Sequence, residues 1–192
     1  MAITPNEAAA ALSDIENTTR RGMTLRGYRV AGPILMVWGL IWAVGYVAMG
    51  VLPVERWGPV WFILDFVGAT VTIIMTGRGY ARRASAVKAA VPAGLPWKLA
   101  LGMVGTAAFV LGVVAIFPQG ETAAYLALPG LVTGMIYMSI GLWSGLRYAL
   151  IGLAVFAATL VGFFVFRSNL AFWMAGVGGG ALFLSGLWLR KA

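Results

Sequence analysis

Six runs of apolar residues, carrying one charged side chain between them, occupy most of this chain. They cover residues 30–52, 58–77, 99–117, 123–145, 148–166 and 170–189. Each comes close to or exceeds the ~20 residues that a helix needs to cross a hydrocarbon layer about 30 Å thick. Each is too long for one crossing by a barrel strand, and none alternates with period two. Lipid offers no partner to a backbone N–H or C=O, so every crossing must satisfy its own hydrogen bonds. The expected fold class is therefore all-α: a polytopic integral membrane protein built as a bundle of six transmembrane helices. Only 10% of the residues are charged, against roughly 25% in a soluble domain, and the links leave no room for one. The fourth and fifth runs are divided only by Ser144, Gly145, Leu146 and Arg147. These predict a tight turn, because a single helix over 122–166 is far longer than a bilayer requires.

Basic residues orient such a bundle, since they are retained on the cytoplasmic side. With the N-terminus inside, that side receives Arg20, Arg21, Arg26, Arg29, Arg78, Arg82, Arg83, Lys88, Lys98, Arg147, Arg190 and Lys191. Arg56 and Arg167 fall outside. The expectation is N-terminus and C-terminus both cytoplasmic, in the inner (plasma) membrane, with the lipid bilayer as the first partner. A net charge of +8 does not point to nucleic acid, because these charges follow one membrane boundary and suit anionic headgroups. The first run exceeds the ~7–15 residues of a signal-peptide core and reads as a retained anchor.

The chain divides into a cytoplasmic segment over 1–29, the membrane domain over 30–189 with a cytoplasmic loop over 78–98, and a tail over 190–192. In the first segment, Thr4-Pro5-Asn6-Glu7 has capping-box spacing with proline at the first helical position. It predicts a short amphipathic helix over 4–19 with Ala8, Ala11, Leu12 and Ile15 on one face. That face packs on the protein's own loop or docks on a partner at the cytoplasmic face. Within the loop, 80–90 has helix-forming composition that extends the second run. Pro92, Gly94 and Pro96 then end it, and Trp97 marks the next interface.

Enzymatic chemistry finds little material. There is no histidine and no cysteine, which removes imidazole-ligated haem, thiolate chemistry and the usual zinc sites. One intramembrane aspartate cannot form an aspartyl dyad, and all three lysines lie outside the runs. No phosphate-loop motif is present. No enzyme activity, metal or cofactor is expected.

Asp65 is the one charge within the six runs. It lies seven residues past Gly58, about 10 Å below the outer boundary, where a charge costs somewhat less than the ~2.5–3.5 kcal/mol it costs at the midplane. Asp65, Gly68, Ala69, Thr72 and Thr76 share one small, polar helix face, whereas Ile63, Phe66, Val67, Ile73 and Ile74 suit lipid. Asp65 therefore turns inward, as a protonatable or cation-binding site or as a structural acid. In the structural case Arg167 or Arg56 pairs with it, and Tyr46 or Tyr125 donates a hydrogen bond.

Gly130 with Gly134, Gly141 with Gly145, and Gly176 with Gly180 have the small-xxx-small spacing that lets helices approach closely. Packing within the monomer is the first expectation for them, with a homodimer face or a hinge as the alternatives. Tyr137 lies mid-membrane, either in packing or lining a pocket with Trp143 or Trp42. Pro33 and Pro129 are expected near helix starts. The similar endings Gly141-Leu-Trp and Gly186-Leu-Trp also hint at repeated helical hairpins, with convergence as the alternative.

Two functional classes follow. One is a non-catalytic inner-membrane scaffold or regulatory/accessory subunit. The other is a small transporter or channel using Asp65 as an ion- or proton-coupled site.

Overall fold

The computed structural model of the protein describes residues 4–84 and 122–191. The expected third crossing over 99–117, Trp97, and the loop residues beyond Ala84 lie outside the described residues. What is described is all-α, with five helical segments long and apolar enough to cross a membrane.

Helix α1 spans Pro5–Val51, 47 residues without a break. At 1.5 Å per residue it is about 70 Å long, more than twice the hydrocarbon thickness. Its start is as the sequence predicts: the Thr4 hydroxyl accepts from the Glu7 N–H at 3.3 Å, and the Glu7 carboxylate accepts from the Thr4 N–H at 2.9 Å. The helix does not stop near Thr19. Gly22 and Gly27 each cost only about 1 kcal/mol relative to alanine, and no proline intervenes before Pro33. Helix nucleated on both sides therefore propagates through. Pro33 consequently sits deep inside α1, and not near a helix start as expected.

Pro53 and a 3-10 turn (Val54–Arg56) reverse the chain into α2, Trp57–Ala84, which extends the second run as far as it is described. Helix α3 spans Thr122–Ser144 and α4 spans Leu146–Val165. The expected turn between them is a single residue, Gly145, with φ +120°. A side chain there would be strained, and a Cβ would also collide with the Tyr28 hydroxyl. A 3-10 turn (Arg167–Asn169) leads into the last crossing: α5 (Leu170–Trp173), a π-helical turn (Met174–Gly178) and α6 (Gly179–Arg190).

Two glycine-lined seams set the packing. Along α1 and α6, Gly32 abuts Gly186, and Gly39 abuts Gly179. A methyl group on Gly39 would lie 2.7 Å from the Gly179 carbonyl oxygen, and one on Gly179 would lie 2.8 Å from that of Gly39. Both pairs are seven residues apart on each strand of the seam, the period that returns to the same face of a supercoiled pair. Along α3 and α4, Gly134 meets Gly152 in the same reciprocal way, and Gly141 meets Ala149. Van der Waals contact between backbones replaces the hydrophobic effect, which lipid does not supply.

The α1–α6 and α3–α4 pairs close around a core in which Tyr46, Val155, Thr159, Met174 and Leu189 are fully buried. Outward-facing residues are large and apolar, among them Phe62, Phe66, Ile73, Leu142 and Phe164. Water would penalise such a surface; hydrocarbon does not. Charges sit at the ends. Arg147 and Arg190 lie beside Tyr28 and Gly32 of α1, while Glu55, Arg56 and Arg167 belong to the 3-10 turns at the opposite end.

Candidate functional site: the Asp65 cleft

Helix α2 runs antiparallel to α1 and touches it on one side only. Trp61 packs over Gly45, Gly68 meets Ile41 and Trp38, and the Trp38 indole donates to the Thr72 hydroxyl at 3.2 Å. On α2, Gly68 is buried and Ala69, Thr72 and Thr76 are half-buried, while Ile63, Phe66, Val67, Ile73 and Ile74 are exposed, as predicted. Asp65, expected to turn inward with the first group, is itself exposed.

Between α2 and α3, floored by α1, lies a cleft of about 500 Å³. Asp65 opens onto it together with Trp42, Trp61, Tyr125, Pro129 and Thr133. Among the described residues this exposed carboxylate has neither an ion pair nor a hydrogen bond. The expected pairing with Arg56 or Arg167 is therefore not what the described residues show. Arg167 instead lies over the Phe163 ring, 5.0 Å from its centroid. Nor does Tyr46 reach Asp65: its hydroxyl donates to the Leu126 carbonyl at 2.9 Å, tying α1 to α3.

The aromatic wall is held in place from behind. Trp42 and Trp61 lie either side of Tyr46, edge-to-face, with centroids 5.5 and 5.6 Å away. The Trp61 indole N–H donates to the Met49 sulfur at 3.0 Å. This wall was written in the sequence as Trp38, Trp42, Tyr46 and Met49, a stripe at helical spacing on one face of the first run, although composition alone cannot separate a stripe lining a cleft from one filling a core.

The other singled-out residues lie elsewhere. Tyr137 does not line this cleft; it is tilted against Tyr148, which is edge-on to Tyr28, in a tyrosine cluster toward the Arg147 end. Trp143 is 90% exposed. Gly130, Gly134 and Gly141 are in close helix contacts, with Gly130 against Thr159, and Gly145 forms the turn. Gly176 and Gly180 face open space, and the close contacts of the last crossing are made by Gly179 and Gly186. Arg147, read from the sequence as a turn and boundary residue, has contacts that the sequence does not announce. Its guanidinium stacks over Tyr28 and Trp188, at 5.4 and 4.9 Å, and donates to the Trp188 carbonyl at 3.2 Å.

No family model matches the chain, and neither a curated protein nor a solved structure matches it. Functional argument therefore rests on the geometry.

Proposed function

We propose that this is a six-span inner-membrane protein, with both termini cytoplasmic, that binds a cationic or protonatable solute at Asp65 and carries it across the bilayer. The observation that carries this reading is a carboxylate within a membrane span, open to a 500 Å³ cleft and without an ion pair among the described residues. Intramembrane acids are costly and usually serve an ion or solute path.

Six crossings are supported by direction. Helix α2 finishes toward the end where Arg147 and Arg190 lie, whereas α3 starts toward the other end, near the Tyr46–Leu126 bond. A sixth crossing over 99–117, proposed from its length and composition, accords with those two directions. The gathering of Arg147 and Arg190 beside the Arg29 end of α1 supports the cytoplasmic assignment of that end.

The test is current from proteoliposomes adsorbed on a sensor and challenged with steps of pH, Na⁺ or organic cations. A transient that Asp65→Asn abolishes, in protein that still elutes as a folded species, is the expected result. Equal transients in both proteins, or none in either, would remove Asp65 from any transport role.

The scaffold or accessory-subunit reading keeps one observation of its own. Leu12 and Ile15, on the part of α1 that outruns the bilayer, are 62% and 63% exposed, an apolar face available to a protein partner.

A further inference from the structure

We infer that the ligand of the Asp65 cleft is a lipophilic organic cation, an ammonium or phosphonium centre carrying alkyl or aryl groups. This deepens, and rests on, the reading of the cleft as a binding site. The walls supply Trp42, Trp61 and Tyr125 as aromatic rings, with Asp65 as the one carboxylate among the described lining residues. Aromatic faces attract cations through their quadrupole, and a group of rings around one acid is the usual answer to a cation too bulky to be hydrogen-bonded.

Three further observations narrow the class. The first is size: about 500 Å³ falls in the range of sites for small organic molecules and far exceeds what one inorganic ion fills. The second is ligand count. A dehydrated hard cation such as Ca²⁺ or Mg²⁺ takes about six or more oxygens. Among side chains the cleft offers those of Asp65, Thr133 and Tyr125. The third is donor placement. The Trp61 N–H is already given to Met49, and among the described residues no arginine or lysine lines the cleft, so an anion finds no counter-charge from them. The rings are also pre-positioned, because Trp42 and Trp61 both rest on Tyr46, which is itself pinned to Leu126. Binding need not pay to order them.

Equilibrium dialysis of radiolabelled tetraphenylphosphonium against the purified full-length protein tests the class. Triphenylphosphine oxide serves as a neutral aryl control of comparable width. Saturable binding of the cation is expected, weakened at least about tenfold by Asp65→Asn and about three- to thirty-fold by Trp61→Leu, with Trp61→Phe close to the parent. Trp61 is chosen because it is only half-buried, and each variant is compared only if its elution and melting match the parent. Equal affinity for the neutral control, or binding unchanged in Asp65→Asn, overturns the inference. Binding without flux in proteoliposomes would sustain the ligand class and sink the transport reading. Asp65-dependent flux of protons or Na⁺ without tetraphenylphosphonium binding would do the reverse.

Discussion

The Tyr46 hydroxyl donates to the main-chain carbonyl of Leu126, 2.9 Å away and 80 positions along the chain, and the tyrosine has no exposed surface. This bond is the polar tie between α1 and α3 beneath the cleft, and it fixes the ring on which both cleft tryptophans lean.

Tyr46→Phe removes the bond and keeps the ring. Interhelical hydrogen bonds in membrane proteins average about 0.6 kcal/mol and reach about 1.7. The expected loss is thus below about 2 kcal/mol, read as a modest drop in melting temperature in detergent. Tyr46→Ala also deletes the ring that Trp42 and Trp61 pack against and should cost about 3–5 kcal/mol. Equal effects of the two would show that the hydroxyl, not the ring, is the main support.

The glycine seams separate sharply from the open glycines. Gly39→Val and Gly186→Val place atoms against backbone on the facing helix, which cannot retreat without parting α1 from α6. Both should abolish a monodisperse elution peak. Gly176→Ala and Gly180→Ala meet nothing within 4 Å and should leave folding intact. If Gly180→Ala changes oligomeric state while the fold survives, that face is an interface between copies.

Arg147 combines one hydrogen bond, to the Trp188 carbonyl, with planar contact to two rings, which the compact ammonium of lysine cannot reproduce. Arg147→Lys keeps the charge at the boundary and should still lose about 1 kcal/mol. Arg147→Met should lose more, and single-cysteine labelling of the cysteine-free chain would report whether orientation also suffers. Identical stability of parent and Arg147→Lys would mean that charge alone matters there.

The first turn of α1 should fray in acid. The Thr4 backbone N–H and hydroxyl, both directed at Glu7, hold its carboxyl below the usual carboxylate range. A depressed folded-state value contributes stability that is complete above the unfolded value, about 4.3, and is lost as pH falls through the folded one. Amide protection at the helix start, measured by hydrogen exchange, should be flat from neutral pH down to about 5 and decline below about 4. Glu7→Gln should flatten that decline.

Periodicity and local motifs make the described helices of this molecule legible in the sequence. The Thr4–Glu7 box, the Gly145 turn and the inward face of α2 all follow from rules that operate within a few residues. What escaped depended on partners distant in sequence. Gly39 and Gly179 are seam residues because each meets the other, and the seven-residue spacing to Gly32 and Gly186 is invisible to a search for four-residue spacing. An arginine partner is the sequence expectation for Asp65 because Arg56 and Arg167 fall at the same end of the runs. Only the placement of α1 and α3 brings Trp42 and Tyr125 to the same cleft. The end of the first helix was misjudged for a simpler reason: polar residues from Ser13 to Arg29 look like a break, yet none of them stops a helix.

That unbroken helix has a mechanical consequence. From Gly39 to Pro5 is about 50 Å of continuous rod, against about 5 Å from Gly39 to Trp42. The close contacts of Gly32 with Gly186 and of Gly39 with Gly179 clamp the rod against α6. A bend that keeps them closed therefore falls N-terminal to Gly32, where a tilt of about 5° moves the Leu12–Ile15 face by about 2 Å. A partner gripping the Leu12–Ile15 face would hold a stiff lever whose fulcrum is the glycine seam.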